Sequence, residues 1–189
     1  MQERPLHSAA SGFASTFLRK RVADDCHLPP LAFVCAKRFA ERPMRIRPVR
    51  DTDHAAWLGL FRAYAGFYKT NPTAEAEAAV WGWIFNAAEP FWCDLAVDAD
   101  DRPLGFAQYQ LMHRSLGGSK VCYLSDLFTL PEARGQGAGR ALIDHVRAVA
   151  GGMGCPNIRW LTAEDNATAR ALYDTYQPRT PFVLYSVPT

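Results

Sequence analysis

Gly135, Gly137 and Gly139 recur at every second position, with Arg134 before them, Gln136 and Ala138 between them and Arg140 behind them. Glycine carries no Cβ, so a turn built on it lets backbone N–H groups approach an anion closely. Downstream, Ala141, Leu142, Ile143, Val146, Val149 and Ala150 repeat at helical spacing, which predicts a helix opening at the glycines. Its first N–H groups and the positive end of its dipole then face back into the turn, and the two arginines add forked donors suited to phosphate. The chemistry these residues predict is a grip on a diphosphate. Tyr123, Leu124, Leu127, Phe128 and Leu130 form a strand-like run ahead of the turn, ended by Pro131. A P-loop would require a Lys after the last glycine, and none follows. A dinucleotide-binding turn would require a different glycine spacing and an acid about twenty residues on.

Arg134-Gly-Gln-Gly137-Ala-Gly139 matches the pattern Arg/Gln-x-x-Gly-x-Gly/Ala, and on that match the chain resembles the GNAT superfamily of N-acetyltransferases. Two flanking segments extend the resemblance. Tyr123-Leu124-Ser125-Asp126-Leu127-Phe128 is similar to the Tyr-Leu-Glu-Asp-Leu-Phe/Tyr strand of the histone and polyamine acetyltransferase branch. Trp160 to Asn166, followed by Ala169 to Asp174, is similar to that branch's Trp-x-Thr-x-Glu-x-Asn and Ala-x-x-Leu-Tyr segments. The resemblance runs from Met44 to the C-terminus. It implies an α/β fold whose mixed, mostly antiparallel central sheet has splayed central strands flanked by helices. It also implies acetyl-CoA as cosubstrate, direct transfer to a primary amine in a ternary complex, and no metal. The acceptor would be a small amine, a polyamine or a protein lysine. In such a fold the backbones of Leu127, Phe128 and Thr129 meet the pantetheine arm, residues Arg134 to Arg140 hold the phosphates, and Asn166 and Ala169 lie along the cofactor. Tyr173 matches the tyrosine that acts as general acid toward the departing sulfur. A homodimer formed through the C-terminal strand is also implied.

Ser125 stands where the similar enzymes carry a glutamate that draws a proton from the amine. A serine hydroxyl is no base at neutral pH, whereas only about one alkylammonium in a thousand is neutral at pH 7. Asp126 is the nearest substitute, although regular strand alternation would turn neighbouring side chains to opposite faces. Glu164 and Asp165 could instead attract a cationic substrate at the mouth. The alternative function is a CoA-binding regulatory or interaction module with weak or no catalysis. Tyr64, Phe67, Tyr68, Trp81 and Trp83 offer aromatic walls for an amine, and at helical spacing they equally suit a plain core.

With 49% of its 189 residues apolar, the chain can form a sizeable core without disulfides or metal. Cys26, Cys35, Cys93, Cys122 and Cys155 show no C-x-x-C and read as reduced thiols. His54, His113 and His145 have no partner at metal-ligand spacing. Residues 44–189 hold 14 Lys/Arg against 15 Asp/Glu, so this part does not read as a nucleic-acid binder. Residues 1–43 hold 7 against 4 and show no sustained period, which predicts a poorly ordered extension ahead of a domain spanning 44–189. No apolar run approaches the roughly twenty residues a membrane span needs, so a soluble, cytoplasmic protein is expected.

The elements follow from the pattern. Arg45 to Val49 alternates as a strand, and Asp51 or Thr52 can cap a helix carrying Trp57, Leu60, Phe61 and Tyr64. A second helix starts at Thr73. Phe91 to Val97 and Leu104 to Met112 predict a hairpin around residues 98–103, and Val121 to Leu130 the strand before the glycine turn. After the helix, ended by Gly151, Gly152 and Gly154, come a strand over 157–162, a short helix from Asn166 to Tyr176 and a last strand from Phe182 to Val187.

Overall fold

The structure, a computed structural model, describes residues 44–189; the expected extension 1–43 lies outside the described residues. Five strands form one sheet in sequence order: β1 (Arg45–Pro48), β2 (Phe91–Val97), β3 (Pro103–Arg114), β4 (Ser119–Thr129) and β5 (Ile158–Arg159). Neighbours are antiparallel except β4 and β5, which run parallel. Helices α1 (His54–Phe67) and α2 (Ala74–Phe85) join β1 to β2, α3 (Ala138–Gly152) joins β4 to β5, and α4 (Ala167–Tyr173) follows β5. The Thr73 hydroxyl, at the expected start of this helix, accepts from the Ala76 N–H at 3.2 Å and caps α2.

The sheet separates two cores. On one face α3 places Leu142, Ile143 and Val146 against Ala96, Ala107, Tyr109, Cys122 and Leu124. On the other, Trp57 and Leu60 of α1 cover Cys93, Leu95, Val97, Phe106 and Phe128. Leu124 and Phe128, four apart on one strand, would share a face if β4 were regular. They do not. Gln108 pairs with Asp126 and Tyr109 with Leu124, so Ser125 is an extra residue and β4 carries a bulge.

Other departures from the sequence-based expectations have local causes. Asp51 and Thr52 form a single 3-10 turn with Asp53 and do not cap α1. Asp53 is drawn instead to Arg47, which is only 7% exposed and grips it through Nη1 and Nη2 at 2.6 and 3.0 Å. The same guanidinium donates from Nε to Asp101 in the β2–β3 hairpin at 2.8 Å. The strand expected over 157–162 shortens to Ile158–Arg159, pairing with β4 only at Cys122 and Tyr123. The segment Phe182–Val187 forms no strand, and Phe182 and Tyr185 are 85% and 86% exposed. Pro178, Pro181 and Pro188 break the chain around it, and the two-residue β5 offers too short an edge to pair with.

Candidate functional site

Beyond Tyr123 the second edge of β4 has no partner strand among the described residues, because β5 ends there. The opening between β4 and α4 is a cavity of about 430 Å³. The glycine turn closes one end of it. Gly135 and Gly137 sit at φ 73° and 87°, a left-handed backbone that disfavours any side chain. Gly137 is the N-cap of α3, and its carbonyl accepts from the Ala141 N–H at 2.9 Å. The N–H groups of Ala138, Gly139 and Arg140 precede that first helical bond and are left for a ligand. Gly139 has a different use: a Cβ there would come within 3.3 Å of the Leu172 side chain, so its absence lets α4 pack close to the turn.

Leu127, Phe128, Thr129, Arg134, Gly135, Gly137, Ala138, Gly139, Arg140, Asn166, Ala169 and Tyr173 all line this cavity. Gln136 does not; its side chain turns back to donate to the Glu132 carbonyl at 2.7 Å. Arg134 lies over the Phe67 ring and Arg140 over the Tyr176 ring, at 5.8 and 5.2 Å, which orients both guanidinium groups, and no carboxylate among the described residues pairs with either. Asn166 caps α4 by accepting from the Ala169 N–H and donates to Thr162, both at 3.2 Å. Linear phosphate-bearing ligands suit such a groove: free helix N–H groups and two arginines at one end, an unpaired strand edge along its length.

A second cavity, of about 480 Å³, opens on the α1–α2 side of the sheet. Phe61, Tyr64, Tyr68, Val80, Trp83 and Phe91 wall it, and Gln108, Gln110, Ser125 and Asp126 form its polar floor. The bulge is what brings Ser125 and Asp126 to the same side. Tyr64 and Tyr68 line both cavities, so the two meet at these rings. Of the aromatic residues considered from sequence, Phe67 faces the first cavity and Trp81 packs on Trp57 at 5.0 Å as core. Glu164 and Asp165 line neither cavity, and Glu164 pairs with Arg179 at 3.1 Å.

Desolvation raises the Asp126 carboxyl above its ordinary value, partly offset by the nearby Tyr64 hydroxyl. In the amide orientation that satisfies both neighbours, Gln108 donates to Asp126 at 2.9 Å and accepts from the Trp57 indole N–H at 3.1 Å. Gln110 donates to the Ser125 hydroxyl at 3.3 Å. These glutamines were overlooked in the sequence. Their signal was two polar side chains two apart in an apolar strand, one of them, Gln108, fully buried. At the cavity junction, burial and then the nearby Tyr68 phenol push Tyr173 up to about 12. Trp160 holds its ring edge-on at 5.3 Å, and no side chain among the described residues accepts from its hydroxyl. The site thus offers one carboxylate with enhanced basicity and one phenol that stays protonated, on opposite sides of a shared junction.

Comparison with known proteins agrees with this geometry. Residues 55–176 match the family model described as Acetyltransferase (GNAT) family. The D-amino-acid N-acetyltransferase of Saccharomyces cerevisiae is 31% identical over 74% of this chain and 88% of its own length. The thialysine N-epsilon-acetyltransferase of Mus musculus is 29% identical over 68% and 80%. A solved structure of AAC(6')-Iy, in complex with the bisubstrate analogue CoA-S-monomethyl-acetylneamine, superposes with a TM-score of 0.68 at 24% identity, covering 78% of this chain and 99% of that one. The sheet that opens at β4, the glycine turn feeding α3 and these relationships lead to one assignment: the chain belongs to the GNAT family of N-acetyltransferases.

Proposed function

We propose that this protein transfers the acetyl group of acetyl-CoA to a primary amine, the amine entering through the α1–α2 cavity and the thioester through the α3–α4 cavity. The observation that carries this reading is the junction: both cavities share Tyr64 and Tyr68, while the consecutive β4 residues Asp126 and Leu127 face one cavity each. The named acceptors of the yeast and mouse relatives, D-amino acids and thialysine, both present an amino group, which supports an amine acceptor here.

Acetyl-CoA supplies the acetyl group already activated as a thioester. The N–H groups at the start of α3, with Arg134 and Arg140, hold its phosphates, and the free edge of β4 from Leu127 to Thr129 aligns the arm. Asp126 takes the ammonium proton, so that the nitrogen lone pair can form the new N–C bond as the C–S bond breaks. Tyr173 donates its hydrogen bond to the departing sulfur. With the phenol at about 12 and a thiol near 8.5, passing its proton even to a fully formed thiolate would be uphill by about 5 kcal/mol. Tyr173 therefore stabilises the developing thiolate as a hydrogen-bond donor, and the second proton that the nitrogen sheds as the amide forms balances the charge released on sulfur. The non-catalytic alternative rested on Ser125, and the bulge supports the enzyme reading by placing a carboxylate beside it.

Thiol release from acetyl-CoA across a panel of amines tests the proposal, with calorimetry of acetyl-CoA binding alongside. Wild type is expected to bind acetyl-CoA and release thiol with at least one amine, and Tyr173→Phe to bind it equally well with kcat lowered about 100-fold. Tight binding without turnover of any amine would refute the reading. The exposed, proline-bounded segment Phe182–Val187 supports a dimer in which it pairs with a second copy; light scattering that finds only monomer would refute that part.

A further inference from the structure

The α1–α2 cavity has one charge and many rings, and from this we infer the acceptor class: a hydrophobic primary amine bearing an aryl or comparable apolar body, a single ammonium and no carboxylate. This inference rests on the acetyl-transfer reading above.

Among the described residues that line the cavity, Asp126 is the only carboxylate, and no Lys, Arg or His joins it. A single ammonium can therefore be matched once, at Asp126. The remaining polar side chains of the floor, Gln108, Gln110 and Ser125, engage one another or Asp126 and leave little donor capacity for a second ionic group. An amino-acid acceptor would bring its carboxylate into a space with no cation to pair with and with Asp126 already present as a like charge, so desolvation would go uncompensated. The rim does not relieve this. Thr70, Asn71 and Pro72 line it, but the first turn of α2 just beyond carries Glu75, which opposes the attraction of that helix terminus for an anion, while Glu77 beside it is paired with Arg62 at 2.6 Å. A polyamine or aminoglycoside would face the opposite deficit, its further ammonium groups exchanging water for aromatic faces without a counter-ion.

The walls favour an apolar body. Phe61, Tyr68, Trp83 and Phe91 present ring surface, and Trp83, 45% exposed, meets Phe91 edge-on at 5.8 Å. Such rings pack an aryl group in offset or edge-to-face contact. The volume of about 480 Å³ falls within the range of roughly 300–1,000 Å³ found for small-molecule sites.

Matched acceptors test the inference. With acetyl-CoA saturating, kcat/KM is measured for 2-phenylethylamine, for D- and L-phenylalanine, which add only the carboxylate, and for spermidine, which adds ammonium groups without a ring. We expect 2-phenylethylamine to exceed each of the others by at least tenfold. Trp83→Ala should raise KM for 2-phenylethylamine severalfold with acetyl-CoA affinity unchanged. If phenylalanine or spermidine equals or exceeds 2-phenylethylamine, the acceptor class is wrong while acetyl transfer stands. If acetyl-CoA binds and no amine of any kind is consumed, acetyl transfer fails and this inference with it.

Discussion

Asp126 draws its chemistry from the half-buried place it occupies at the cavity floor. Low solvation raises its carboxyl, which makes it a better proton acceptor and a worse buried charge. The sign for stability follows. A carboxyl raised in the folded state weakens the fold as pH climbs from the unfolded carboxylate range through the folded value, and the penalty persists above it. Asp126→Asn, which keeps an acceptor for Gln108, should therefore melt no lower than wild type at pH 7, with the advantage shrinking toward pH 4. Thermal melts at the two pH values check this; a variant several degrees less stable at pH 7 would show the carboxylate to be structural. The glycines and Tyr173 could be read from the sequence because backbone freedom and motif spacing are local properties. The shared orientation of Ser125 and Asp126 could not, since a one-residue bulge leaves no mark in composition and reverses what alternation implies.

At the scale of elements, close backbone approach fixes both cavities. Gly137 starts α3 with φ 87°, and alanine there would be strained while its Cβ would meet nothing within 4 Å. Gly137→Ala should leave the helix in place at a cost of about 1–2 kcal/mol and raise the acetyl-CoA Kd at least tenfold, read by calorimetry. Gly105 is a contrasting case. It pairs with Thr129, and a Cβ on it would fall within van der Waals contact distance of the Phe128 carbonyl oxygen, so Gly105→Ala should destabilise by about 3 kcal/mol in denaturant titrations. An unchanged midpoint would contradict the register described for β3 and β4. Sequence patterning located β2 to the residue and the start of α2 to within one residue, because alternation and helical spacing are strong over such lengths. It misplaced the last strand, whose composition is strand-like but whose formation depends on an edge that β5 does not provide.

Across the whole molecule, Arg47 ties β1, the turn before α1 and the β2–β3 hairpin together through Asp53 and Asp101. Its partners' carboxyls are held below the ordinary range, chiefly by hydrogen bonds from that guanidinium. Their contribution is present at neutral pH and lost as pH falls through the lowered values. Arg47→Ala, which strands Asp53, should cost about 3 kcal/mol and lower Tm by about 6–12 °C at pH 7, with a smaller difference in acid. The two cavities meet at Tyr64 and Tyr68, and the central claim is that Asp126 accepts the proton of the amine bound beside them. The most direct test is the pH dependence of kcat/KM for an alkylamine in wild type and Asp126→Asn. Wild type should give a bell that rises as Asp126 ionises and falls above the ammonium pKa near 10, whereas the variant, needing amine already neutral, should climb steadily up to that pKa and lie about 100- to 1,000-fold lower at pH 7. Profiles of the same shape and similar height would contradict the account.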